Sequence, residues 1–248
     1  MQTQERNILT VSRLSDDARD ALTAFAARAS WPNGFQIYDR GAQADGVFVI
    51  VRGRVVLRSK VRAGRAFVPW VATPGETFGA EGLAPNAHYS TAARADEETE
   101  TLFLSSSKLR AFVREQPAHA LTLIGQVMAE RSALLDKLRE LTTLSVEHRI
   151  VSALQRMSAH TGFLHADGRI ELGAPQYRLL CELVGATRES VSLVLGRLTG
   201  EGFVERSGST LFVNPSARLF DRLLGGEESI SVNALVDSRA AAAAPPPS

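Results

Sequence analysis

Between Ala118 and Thr142 the chain carries one helical pattern around which everything else must be arranged. Leu121, Ile124, Met128, Arg131, Leu135, Leu138 and Thr142 step by three and four alternately. That is the a/d rhythm of a heptad seam, interrupted by a charge at Arg131. Such a helix can lie on a neighbouring β-domain or pair with a copy of itself. The narrow stripe, placed between two segments of different texture, favours self-pairing through Leu121, Ile124, Met128, Leu135 and Leu138.

The segment before this helix reads as β structure. From Phe35 to about Leu104, short apolar runs such as GVFVIVRG, RVVLRSKV, AFVPWVA and TLFLS alternate with glycines at 41, 46, 53, 64, 75 and 79. Short strands with turn glycines indicate a small barrel or sandwich. Ser15 is placed to cap a helix over DDARDALTAFAARA, with acids in its first turn. A second short helix runs from Ser107 to Glu115 and ends near Pro117. The chain thus divides into a helix and β-domain at 1–117, a pairing helix and hinge at 118–144, a helical domain at 145–224 and a tail at 225–248. The tail, ending RAAAAAPPPS, shows no periodic apolar face and is expected to be disordered.

The helical domain carries the most specific chemistry. VEHRIVSALQRMSA is amphipathic, FLHADGRIEL has a D-G hairpin signal, and APQYRLLCELVGA precedes TRESVSLVLGRLTGEG and the run FVERSGSTLFV. With Thr187 as N-cap, Val191, Val194, Leu195 and Leu198 form a buried stripe, while Arg188, Glu189, Ser192, Leu193 and Gly196 share the opposite face. Gly185 supplies the tight turn of a helix-turn-helix, whose second helix enters the major groove by its N-terminal end. Arginine there can donate two bonds to guanine, a carboxylate can accept from cytosine N4, and hydroxyls can reach bases or phosphates.

Bulk properties exclude more than they select. A net charge of +1 gives no global attraction to nucleic acid, so DNA affinity must come from local placement. The single cysteine, Cys181, rules out an iron–sulfur cluster held by cysteines and reads as a small packing residue. His88 stands in a loop with no second axial ligand in view, so it reads as solvent-exposed. The start, MQTQERNILT, lacks the blocks of a signal peptide, and no apolar run reaches the ~20 residues of a membrane span. A cytoplasmic protein is expected. No nucleophile–base set or metal spacing appears, so no enzyme, cofactor or metal is expected. Arg52, Arg54, Arg58, Lys60, Arg62 and Arg65 crowd one hairpin, with four of them on one face by alternation. The plain reading is a solvated hairpin; the sharper one is an anionic partner, a dinucleotide or the flank of bent DNA.

Together these motifs resemble the CRP/FNR family of transcription regulators over residues 35–213, in order. The match includes GVFVIVRGRVVL and PGETFGAEGL, the long helix, and VGATRESVSLVLGRLTGEGFVE. The resemblance implies an α+β fold: a jelly-roll-like β-roll, a dimerisation helix and a winged helix-turn-helix. It implies Arg188 and Glu189 as base-reading residues, with Thr187 and Ser190 on the DNA backbone and Ser207 and Ser209 in the wing, on phosphate; Ser192 by its hydroxyl and Leu193 by reach to a thymine methyl complete the expected reading face. The implied partners are double-stranded palindromic DNA, a second copy of the chain and RNA polymerase, with no membrane.

Three departures separate the chain from the cyclic-nucleotide-binding members. Ala80 follows Gly79 where they carry a glutamate, NAHYST contains Ser90 and Thr91 without the arginine that holds the cyclic phosphate, and Leu134 and Leu135 stand where hydroxyls meet the base. The effector is therefore expected not to be cAMP, and to be another signal or none. A further departure, Leu193, replaces a second basic residue on the reading helix and leaves the half-site less strict or shifted. The alternative function is a sensor or scaffold whose helix-turn-helix contacts proteins.

Overall fold

The structure, a computed structural model, describes residues 14–60, 66–159 and 161–224; the tail at 225–248, Arg62 and Arg65 lie outside them. The Ser15 hydroxyl accepts from the Ala18 amide and starts α1 (Asp16–Thr23). This helix is shorter than the run to Ala29 had implied. Ala27–Trp31 is instead strand β1, paired antiparallel with residues 99–103. Helix propensity is a weak preference, and a ladder of strand hydrogen bonds overrides it here.

With β2 (Gln36–Tyr38), β3 (Gly46–Arg52), β4 (Val55–Lys60), β5 (Ala66–Ala72), β6 (Thr77–Phe78), β7 (Ala92–Ala95) and β8 (Thr99–Ser105), β1 completes two antiparallel sheets. Their orders are β1-β8-β3-β6 and β2-β7-β4-β5. Strand β3 explains the continuous apolar run GVFVIVR. Phe48 and Ile50 join the β-roll core with Val55, Leu57 and Phe78. Val47 and Val49 join a second core with Leu22 of α1, Phe112 of α2 (Ser106–Glu115) and Leu123 of α3 (Pro117–Thr143). A strand buried on both faces has no solvated side to make polar.

Helix α3 seats Ala120 and Leu123 on the β-roll and turns its other face outward. Leu121 is 70% exposed and Leu138 58%, with Ile124, Met128 and Leu135 also exposed. At Leu144 the backbone becomes extended, and Ser145 caps α4 (Val146–Ser158). The chain then forms β9 (Ile170–Leu172), α5 (Ala174–Val184), α6 (Arg188–Gly200), β10 (Val204–Ser207), β11 (Thr210–Val213) and α7 (Ala217–Leu224). The hairpin expected in FLHADGRIEL reduces to one bridge between Leu164 and Ile170. The main partner of β9 is β11, in a sheet of order β10-β11-β9.

Arg54 and Arg58 of the arginine-rich hairpin do not stand on the solvated face that alternation suggested; the Lys60 side chain lies outside the described residues. Arg54 is 6% exposed, pairs with Asp96 at 2.9 Å, and lies over the Phe163 ring at 4.1 Å. Arg58 reaches across to Glu182 of α5 at 2.8 Å. Val56 and Val68, both fully buried, belong to the same core as α4, α5 and α6. These cations answer carboxylates of their own chain, which the local sequence could not reveal. Among the described side chains of this run, Arg52, exposed beside Glu98 at 3.0 Å, fits the solvated reading.

A charged cluster ties α3 to α4. Glu140 accepts from Lys137 at 3.0 Å and from Arg156 at 2.6 and 3.2 Å. Burial, with Arg156 nearby, lowers the Lys137 ammonium to about 8, whereas the two cations hold the Glu140 carboxyl below its ordinary value against its own burial. Removing one member of a buried pair leaves a charge without compensation. Glu140→Leu should cost about 3 kcal/mol in urea unfolding. Lys137→Leu combined with Glu140→Leu should recover part of that loss, and a double variant as unstable as the sum of the singles would contradict the pairing.

Candidate nucleic-acid interface

The helix-turn-helix is built from local rules. Gly185 adopts φ +65°, a left-handed conformation that a Cβ would strain, and its amide closes α5 on the Cys181 carbonyl at 3.0 Å. Arg149 of α4 donates to the Val184 carbonyl at 2.8 Å and so holds the end of α5 from outside. A Cβ at Gly185 would also touch Leu141 of α3 and Phe67 of β5, so the turn sits where three parts of the chain meet.

Thr187 then starts α6, its hydroxyl accepting from the Ser190 amide at 3.3 Å and lying 3.1 Å from the Ser190 hydroxyl. Val191, Val194, Leu195 and Leu198 are buried. Arg188, Glu189, Ser192 and Leu193 are exposed together on the other side, Leu193 to 71%. The Arg188 guanidinium lies 5.7 Å from the centre of the Tyr177 ring, whose hydroxyl donates to the Arg188 carbonyl at 3.3 Å. Glu189 is held below its ordinary carboxylate range by its own backbone amide and by the Thr187 hydroxyl. The face therefore offers a planar donor and an ionised acceptor side by side at a helix N-terminus.

Ser207 ends β10, Gly208 and Ser209 make the turn, and both serines are exposed. Cys181 is 8% exposed with its thiol pushed up by burial, which suits packing and not a reactive thiolate. His88 is exposed and bridges Gln43 through the backbone.

The β-roll holds a cavity of about 330 Å³ between its β2-β7-β4-β5 sheet and α3. Leu57, Trp70 and Leu134 wall it, and Glu81, Ser90 and Glu130 mark its polar side. Leu135, paired with Leu134 in the sequence reading, does not line it; it faces outward at 57% exposure. The Ser90 amide and hydroxyl both donate to the Glu81 carboxylate. Glu130 is half-buried, receives a long bond from Thr77 at 3.4 Å, and is raised to about 7 by desolvation and then by the Glu81 charge.

The cyclic nucleotide-binding domain family matches residues 28–116. A cyclic AMP receptor protein of Thermus thermophilus is 29% identical, covering 86% of this chain and 95% of its own length. A CRP-like cAMP-activated global transcriptional regulator of Mycobacterium tuberculosis is 21% identical over 82% of this chain and 90% of its own. Among solved structures, the c-di-GMP responsive global regulator CLP of Xanthomonas campestris superposes with a TM-score of 0.69 at 20% identity, covering 82% of this chain and all of that one. Over four fifths of its length the chain is therefore similar to CRP-like transcriptional regulators.

Several residues of the site escaped the sequence reading. Tyr177 and Arg149 could not be found, because their contacts join separate helices. Glu81 carried a usable signal: it stands one residue beyond the place where cyclic-nucleotide binders carry their glutamate. A cyclic phosphate does not fit the residues present, since the Ser90 donors already hold a carboxylate and a second one, Glu130, lies in the same cavity.

The N-cap gives a direct check on the geometry of α6. Thr187→Ala should lower stability by about 1 kcal/mol, while Thr187→Ser should be close to neutral, both read by urea unfolding. Equal losses in the two variants would show that the cap hydroxyl does not hold the helix start.

Proposed function

We propose that this protein is a transcription regulator that binds an inverted-repeat operator as a homodimer. The observation that carries the reading is the N-terminal face of α6, where Arg188, Glu189, Ser192 and Leu193 stand free above a fully buried stripe. Arg188 reads guanine O6 and N7, Glu189 accepts from cytosine N4, Ser192 bonds either kind of edge, and Leu193 meets a thymine methyl. Thr187 and Ser190 at the helix start, with Ser207 and Ser209 at the wing, hold phosphates. The stacking of Arg188 over Tyr177 supports the base-reading role, because it limits the conformations the guanidinium must give up on binding.

Self-association rests on the exposed apolar stripe of α3, which is too hydrophobic to be left in water along a whole helix. Two copies joined there present two α6 helices to half-sites roughly 34–36 Å apart. The protein acts in the cytoplasm, on promoters served by RNA polymerase and without an enzymatic step. Its β-roll takes an effector other than cAMP, or none.

Two measurements test this reading. After selection of bound DNA from a random pool, Arg188→Ala should weaken binding to the selected site by about 1–3 kcal/mol and leave random DNA nearly unaffected. Equal loss on both would remove Arg188 from base reading, and salt-independent binding would favour a protein-contact role. Ile124→Glu with Leu135→Glu should convert the dimer to a folded monomer in sedimentation, with loss of palindrome binding; an unchanged sedimentation coefficient would place the dimer contact elsewhere.

A further inference from the structure

The cavity in the β-roll has a chemistry of its own. Leu57 and Trp70 on the strands, with Val127 and Leu134 on α3, give it flat apolar walls. Its volume of about 330 Å³ sits at the small end of the ~300–1,000 Å³ usual for ligand sites. At the polar side stand two carboxylates, Glu81 and Glu130, and two hydroxyl residues, Ser90 and Thr91. The cation that lines the cavity, Arg131, is exposed.

Magnitudes decide what such a cavity selects. A charge pair in water at ~4 Å is worth about 1 kcal/mol, so the solvated Arg131 attracts an anion only weakly. Glu130 is half-buried, and a nearby opposite charge there acts through a lower effective dielectric than at the surface. An entering anion would lose its hydration, find the Ser90 donors occupied by Glu81, and face a second carboxylate. A cation would relieve the repulsion between the two. One further group calls for a ligand. The indole N–H of Trp70, a lining residue, is buried without a partner.

We propose that this cavity binds a small, flat, mainly apolar molecule bearing a cationic amine or amidine, with Glu130 and Glu81 on the cation and Leu57, Trp70 and Leu134 on its apolar body. This rests on the reading of the β-roll as an effector domain that does not take cyclic nucleotides, but it needs no DNA for its test. Glu130 must be ionised to hold the cation. The groups acting on Glu130 are Glu81 and Glu76, which disfavour ionisation, and Thr77, which favours it; Arg131 is its neighbour in the chain. An aliphatic amine stays protonated to about pH 10. Affinity for the amine should therefore rise as pH passes upward through about 7.

Tryptamine serves as the probe, with indole-3-propionate as the matching acid and cAMP as the cyclic nucleotide, each titrated calorimetrically into the full chain. Tryptamine should bind, more tightly at about pH 8 than at about pH 6, while the acid and cAMP should not. Glu130→Gln removes a half-buried charge that its surroundings disfavour and should fold at least as well, yet weaken tryptamine by about tenfold or more. Leu134→Trp, which fills the cavity from α3, should abolish binding. No heat from tryptamine, binding unchanged by Glu130→Gln, or tighter binding of the acid would overturn the proposal while leaving the effector reading in place. Binding of cAMP would overturn both.

Discussion

Val56 and Val71, opposite one another on β4 and β5, are the point at which the β-roll and the helical half become one packed body. Because strand side chains alternate, the neighbouring pair Leu57 and Trp70 points the other way and walls the cavity. A bulge between Leu57 and Ser59 then resets the phase, so that Val68 again meets α5 and its neighbours. Arg58, on the Val56 side, closes the contact through Glu182. Interiors packed to crystal-like density do not absorb displacement quietly. A shift of this strand pair is therefore felt on both of its faces.

The distribution of arginine follows from the same packing. Arg54, Arg58 and Arg156 are committed to carboxylates of their own chain, at the joints between β-roll, α5 and α4. Arg188 is different: it lies over Tyr177 and is open to solvent. With an overall charge of only +1, the placement of individual guanidinium groups matters more than their number. A planar cation held against an aromatic face, at the start of a helix, is well arranged for edge recognition.

The caps and stripes of this chain were legible before any coordinates. Ser15 and Thr187 head their helices as their side-chain chemistry requires, and the stripe Val191, Val194, Leu195, Leu198 is buried as its spacing implies. The heptad residues of α3 are exposed in a single chain, which is the condition such a stripe needs before a second copy can cover it. Each of these features depends on residues within a few turns of one another. The run to Ala29 reads as helix because alanine favours one, and its end is a strand because the partner at Thr99–Phe103 offers a hydrogen-bonded ladder that overrides that preference.

The sequence by itself determined where helices start, which faces are apolar, and that a free polar face leads α6. It did so because capping and periodicity act over one or two turns of chain. Only the tertiary structure decided that Arg54 and Arg58 are structural, that Tyr177 backs Arg188, and that Glu81 fills the donors of Ser90. Those outcomes hang on distances between residues far apart in the chain, such as Arg58 and Glu182, 124 positions apart. Whether a buried charge finds its partner is settled by packing, since the desolvation it must offset exists only once the surrounding core has closed.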